Sequence, residues 1–287
     1  MNICRKVYAE VQYDRVLAPQ ISSTRIMKLL FWNLNKKDNA DLALTCMREK
    51  EVGIAAFAEF SGTEFSDELL KSFGYRPMGY GGCDKIKIIA QDSIEVIGCF
   101  EESRFTVLPM KIGKICFVIA VAHLVDRMSS TDPEPRLVDI RKMMDVIHGY
   151  ENELSIKKTI VMGDLNANPY DKELLLPNAF NAMLFKELVR NKTGRTWCGD
   201  EYPFLYNPTI HWLSEELENY ESFYYSGDCA NPIWNCYDQA LVSPELMDSI
   251  NSYSYLKRMG NRDLIAKVRP NSKISDHLPL LVDIDLS

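Results

Sequence analysis

The sequence predicts an α/β (α+β) fold in which two mixed β-sheets pack face to face and helices cover their outer sides. Three observations carry this expectation. Short apolar runs of strand length recur at 27–33, 53–58, 86–90, 94–99, 104–109, 115–122, 158–163, 236–242 and 279–284. Helical patterns lie between many of them, but the consecutive runs from 86 to 122 read as hairpins, which favours a mixed sheet over a purely parallel array. The 287 residues, 46% hydrophobic and 25% charged, are long for one domain and short for two, and we read one.

Residues 1–26 are mixed and aperiodic and read as an arm or an extra edge strand; residues 27–287 read as the domain. The regular pattern starts at Met27-Lys28-Leu29-Leu30-Phe31-Trp32. A helix is expected over 39–50, where Leu42, Leu44 and Met47 supply an apolar stripe, and another over 66–73, with Ser66 as N-cap and Gly74 as the stop. The segment 134–152 is the clearest helix, because Leu137, Ile140, Met143, Met144 and Ile147 recur at three- and four-residue steps and share one face. Shorter helices are expected at 181–190 and 211–219. The stretch 191–235, rich in Gly, Pro, Asn and aromatic residues, reads as long loops that shape a substrate mouth.

No run approaches the roughly 18 to 20 apolar residues needed to span a bilayer. The opening Met1-Asn2-Ile3-Cys4-Arg5-Lys6 has no apolar signal region after it, so a cytoplasmic protein is expected. Eight cysteines stand apart at 4, 46, 83, 99, 116, 198, 229 and 236, with no C-x-x-C pair, which points to reduced thiols and leaves a Cys229–Cys236 bridge as the alternative. A net charge of -7 argues against coating nucleic acid by bulk electrostatics. A local basic rim is still available from Lys257, Arg258, Arg262, Lys267, Arg269 and Lys273, opposed in that span only by Asp263, although solvated strand and loop faces are the favoured reading of these charges.

Short polar clusters sit at the ends of the apolar runs, where side chains distant in sequence meet at one edge of a core. Glu59 follows Gly53-Ile54-Ala55-Ala56-Phe57-Ala58, and an acid there is costly to bury without a cation, although it reads equally as a carboxylate exposed at a strand terminus. Gly163-Asp164-Leu165-Asn166 follows Thr159-Ile160-Val161-Met162; Asp164 suits positioning a water and Asn166 donating to a phosphate oxygen, although the same letters also favour a plain turn. Ser275-Asp276-His277 sets an acid beside an imidazole, and Asp238 is suited to fix the tautomer of His277. His123 ends another run, while His148 and His211 read as structural. Asn33 and Asn35, alternating off the first strand, are both suited to face the metal site through hydrogen bonds or water. Together these are the parts for binding a hard metal ion and hydrolysing a phosphate ester.

From about Met27 to Ile284 the chain resembles the endonuclease/exonuclease/phosphatase superfamily, the DNase I-like fold. The resemblance rests on Trp32-Asn33-Leu34-Asn35, Glu59, His123, Gly163-Asp164-Leu165-Asn166, Asp238 in Tyr237-Asp238-Gln239-Ala240-Leu241-Val242-Ser243, and Ser275-Asp276-His277, in that order. It implies a four-layer sandwich with the site at one end of the sheets. It also implies magnesium or manganese, as one or two ions, held by Glu59 with Asn33 nearby and Asp276 at the same or a second ion. Asp164 would orient the attacking water, Asn166 and His123 would contact the phosphate, and the Asp238–His277 pair would supply acid/base or charge stabilisation. Asn35 departs from the family, where some nucleases carry Asp at that position.

The expected function is a metal-dependent phosphodiesterase, a nuclease first, with nucleic acid as the substrate partner and no partner protein indicated. The alternatives are a phosphatase of the same fold acting on inositol phosphates, lipids or another small phosphate ester, and a non-catalytic binding module. The module is disfavoured because every charged position is filled.

Overall fold

The computed structural model describes residues 26–60, 65–214, 221–227 and 233–287. The expected N-terminal arm lies outside these residues apart from Ile26, as do Cys4, Cys229 and positions 215–219 of the helix expected over 211–219.

Two mixed sheets dominate. In the first, the strands run in the order Ile250–Tyr255, Leu280–Asp285, Ile26–Asn33, Ile54–Ala58, Ile86–Gln91 and Tyr75–Met78. Only Ile26–Asn33 and Ile54–Ala58 are parallel there, with Asn33 opposite Ala58. In the second, the order is Ala182–Met183, Leu205–Tyr206, Asp238–Val242, Thr159–Asp164, Ile115–His123, Phe105–Ile112 and Glu95–Val96, with Phe100–Glu102 also on Phe105–Ile112. Its central parallel pair is Ile115–His123 with Thr159–Asp164, in register so that His123 faces Asp164. On the other side of Thr159–Asp164, antiparallel pairing sets Asp238 opposite the same Asp164.

Period-two alternation decides what each face buries. From the second sheet Ile119, Val121, Ile160, Met162, Ala240 and Val242 join the large core shared with the first sheet. Their neighbours Val118, Ala120, Ala122, Val161 and Leu241 turn outward, onto Leu137, Ile140, Met143, Met144 and Ile147 of the helix Glu134–Leu154. Ile54–Ala58 is buried at all five positions, as a strand covered on both faces must be. The helices Ala40–Glu49 and Asp67–Ser72 form as expected, the latter with the Ser66 hydroxyl accepting from the Leu69 N–H. Among the described residues no helix is long and apolar enough to cross a membrane.

Three local expectations change. The run 94–99 forms only the strand Glu95–Val96, because Ile97, Gly98 and Cys99 stand against just Leu108 and Pro109 of the next strand, and Pro109 accepts from the Ile97 N–H but has none to return. The helix expected over 181–190 shortens to Lys186–Asn191: Asn181 is left-handed, donates to the Tyr202 and Pro203 carbonyls, and leads Ala182–Met183 into the second sheet. The loops 191–235 contain a hairpin, Gly194–Trp197 with Asp200–Pro203, the helix Thr209–Ser214, and a ribbon of Phe223–Tyr224 with Trp234–Asn235. Cys46, Cys83, Cys99, Cys116, Cys198 and Cys236 form no disulfide.

Candidate active site

Both central parallel pairs end on the same side of the sandwich, and each ends in the same turn. Asn33-Leu34-Asn35 and Asp164-Leu165-Asn166 are twin Asx turns: the Asn35 N–H donates to Asn33 Oδ1 at 2.9 Å and the Asn166 N–H to Asp164 Oδ1 at 3.1 Å. Asn35 and Asn166 share a left-handed backbone, φ 47° and 48°, which Asn tolerates better than most residues. Each middle leucine N–H is taken by a neighbouring strand end, Leu34 by the Ala58 carbonyl and Leu165 by that of Tyr237. With one side-chain atom of Asn33 and of Asp164 tied to its own turn, the other two meet: Asn33 Nδ2 donates to Asp164 Oδ2 at 3.0 Å.

Glu59 completes this junction. It follows Ile54–Ala58 in a left-handed conformation, φ 48°, a strain that persists only where surrounding structure holds it. Its Oε1 accepts from Asn33 Nδ2 at 3.3 Å and lies 3.6 Å from His123 Nε2, which is itself 3.8 Å from Asp164 Oδ2. Gly163 lets Asp164 reach this place: φ is +150°, and a Cβ there would stand 1.9 Å from the Ala122 carbonyl oxygen.

On the other flank His277 Nε2 lies 3.9 Å from Asp164 Oδ2, while its Nδ1 is 2.7 Å from Asp238 Oδ2. Burial alone would push the imidazole pKa down, but the charge and hydrogen bond of Asp238, helped by Asp164 and Asp276, raise it to about 10. Burial lifts the Asp238 carboxyl, and His277 pulls against that rise. The short contact inside a fully buried pair holds it as imidazolium and carboxylate. The Ser275-Asp276-His277 segment is laced to the first strand, with Ser275 Oγ donating to the Asn33 carbonyl at 2.7 Å and Trp32 Nε1 to that of His277 at 3.1 Å.

The structure therefore gathers Asn33, Glu59, His123, Asp164, Asp238 and His277 around one point. The remaining three expected residues differ in kind. Asn35 touches the cluster through its backbone N–H, because the strand stops at Asn33 and the alternation does not continue. Asn166 commits one amide N–H to the Leu124 carbonyl at 3.0 Å. Asp276 has a buried Oδ1 with no hydrogen-bond partner among the described residues. Ser222, Phe223 and Arg127 were not foreseen. Ser222 Oγ accepts the Asp238 N–H at 2.9 Å, the Phe223 ring lies tilted against the His277 ring with centroids 4.6 Å apart, and Arg127 donates to the Asn166 carbonyl at 3.0 Å while pairing with Asp171. Nothing in the local pattern of Ser222 separates it from any loop serine.

No family model and no curated protein matches the sequence. Solved structures do match its shape. Truncated TDP2 of Caenorhabditis elegans superposes with a TM-score of 0.59 at 14% identity, over 91% of this chain and 97% of that one. The endonuclease domain of TRAS1, a telomere-specific non-LTR retrotransposon, gives 0.56 at 14%, over 91% and 99%. The mannosyl-6-phosphatase Bt3783 of Bacteroides thetaiotaomicron gives 0.56 at 13%, over 89% and 98%. With its two mixed sheets and flanking helices, the chain shares the DNase I-like fold of these structures.

Proposed function

We propose that this chain is a divalent-metal-dependent phosphoesterase that hydrolyses a phosphodiester, with nucleic acid as its first substrate class. One observation carries the reading: Glu59, Asp164 and the imidazoles of His123 and His277, from four separate segments, all lie within 4 Å of a neighbour in a single cluster braced by Asn33.

The donors suit a hard cation. Glu59 offers a carboxylate whose side chain is 28% exposed, leaving room for the waters that magnesium keeps, and Asp276 adds a buried oxygen that no protein donor satisfies. Glu59, with Asn33 beside it and Asp276 on the adjoining segment, would hold magnesium or manganese, as one or two ions. Such an ion supplies positive charge against the phosphate and the leaving oxygen. Ligand atoms of Asp164, Asp238 and His277 also lie within 4.8 Å of one another. We read that trio differently, because an imidazolium already neutralises the Asp238 carboxylate at 2.7 Å.

The chain's own groups then divide the work. Asp164 orients the attacking water, since its Oδ2 lies 3.9 Å from His277 Nε2, too long for a direct hydrogen bond, so both atoms keep capacity for a third group. His277, held protonated and oriented by Asp238, donates to an oxygen that gains charge. His123 and Asn166 contact the phosphate, Asn166 through an amide that donates without adding repulsive charge.

A phosphatase acting on inositol phosphates, lipids or another small phosphate ester is the second reading, favoured by a mannosyl-6-phosphatase matching the fold as well as an endonuclease does. The test is a panel of single- and double-stranded DNA, RNA, inositol phosphates and a small aryl phosphodiester, each with and without EDTA. EDTA-sensitive cleavage of a polynucleotide supports the first reading; cleavage of phosphomonoesters alone supports the second, and cleavage of nothing contradicts both.

A further inference from the structure

The basic stretch before Asp276-His277 takes no part in the chemistry above, yet it folds against the site. Its ribbon Ile265–Ala266 with Arg269–Pro270 packs on the aromatic ribbon Phe223–Tyr224 with Trp234–Asn235. Along that aromatic strand the side chains alternate. Phe223 turns toward the site, bridged to His277 and stacked 5.4 Å from Tyr237. Tyr224 is braced by Trp234, edge-on at 5.3 Å and 80°. Tyr224, Arg269, Pro270, Ser272 and Asp276 line a cavity of about 140 Å³.

Two features set this cavity apart from an ordinary surface dent. Asp276, the residue before His277, carries the buried oxygen without a partner, so the cavity shares a wall with the proposed site. Arg269 is exposed and makes no ion pair with a described residue, whereas Arg258 of the same basic stretch is paired with Asp263 at 3.1 Å. A ring face, a guanidinium without an ion pair among the described residues and a hydroxyl are the groups that recognise a base, a phosphate and a sugar respectively.

We infer that this cavity is a nucleotide subsite, which holds the unit next to the scissile phosphate in a single-stranded or locally unpaired polynucleotide. The inference rests on the phosphodiesterase reading for its position beside the scissile bond. Tyr224 stacks on the base, Arg269 meets the neighbouring phosphate, and Ser272 takes a sugar or base-edge hydrogen bond, while Asp276 on the shared wall stays with the cation. An inositol or sugar phosphate would use the cation and leave the ring without a role.

The test is fluorescence anisotropy of a labelled single-stranded DNA octamer in EDTA across a salt series, on the full chain and on Tyr224→Ala, Tyr224→Phe and Arg269→Gln. Tyr224→Ala weakens binding about fivefold or more and Tyr224→Phe restores it. Arg269→Gln lowers the slope of log K against log salt by about 0.7, the loss of one single-strand phosphate contact. In hydrolysis, both deletions raise KM for the octamer at least about fivefold more than for methyl p-nitrophenyl phosphate. Cleavage of the octamer with wild-type binding in both variants overturns the subsite alone, as does equal weakening by Tyr224→Ala and Tyr224→Phe. The expected binding pattern without any phosphodiester cleavage overturns the phosphodiesterase reading alone.

Discussion

Asn33 Nδ2 donates to Asp164 Oδ2 at 3.0 Å across 131 residues of sequence, and this bond joins the ends of the two sheets. It exists because each residue is the first of an Asx turn that fixes its other side-chain atom. The edge that carries the candidate site is thus set by backbone turns at the strand ends, with the loops added around it.

Asn33→Asp places a second carboxylate about 3 Å from Asp164 where an amide donor stood. Like charges at that distance repel, and a cation relieves them. In EDTA the melting temperature falls by about 5 °C or more; with millimolar magnesium most of that loss is recovered. Thermal denaturation followed by circular dichroism checks both, and an equal loss with and without metal would remove the cation from this account.

The His277–Asp238 pair gives a pH signature. The folded imidazole keeps its proton up to about 10, whereas the unfolded one releases it near 6.5. The pair's contribution is therefore complete below about pH 6.5 and is lost as pH rises through about 10. Urea unfolding in EDTA from pH 6 to 10 reads this as a declining midpoint, and His277→Gln flattens the decline.

Gly163→Ala meets the Ala122 carbonyl oxygen, a backbone atom that cannot turn aside, at 1.9 Å. A destabilisation of about 3 kcal/mol or more is expected. Gly113→Ala is the comparison, since φ there is also positive, at +59°, but the space is open; about 1 kcal/mol is expected from backbone strain alone. Equal losses by chemical denaturation would contradict the packing argument.

Arg136 is 1% exposed and pairs with Glu173 at 2.7 Å while donating to the Val125 and Ser130 carbonyls, which ties the loop carrying Arg127 to the long helix. Arg136→Ala leaves a buried carboxylate without its partner and costs about 3 to 5 kcal/mol. Arg136→Met with Glu173→Leu recovers part of it, measured by the same unfolding curves.

The candidate cluster was legible because Asn33, Glu59, His123, Asp164 and Asp238 each stand where an apolar run begins or ends, a boundary that polarity alone reveals. The turns were legible too, but as a competing interpretation. Gly163-Asp164-Leu165-Asn166 is a turn and, by the convergence of its Asp164, part of the candidate cluster. What stayed hidden depends on contacts remote in sequence. The strand Ile250–Tyr255 alternates, with Tyr253 and Tyr255 buried against polar neighbours, but its short period was masked by Asn251, Ser252 and Ser254. Tyr75–Met78 hides behind Pro77, which an edge strand accommodates. Ser222 matters only because the ribbon it precedes folds beside Asp238 and Leu278.

The most direct measurement is calorimetric titration of manganese into the wild-type chain and Glu59→Gln at neutral pH. The account predicts saturable binding to the wild type, at one or two sites, weakened about tenfold or more by the substitution. Absence of saturable binding, or the same affinity in both proteins, would contradict a metal centre built on Glu59.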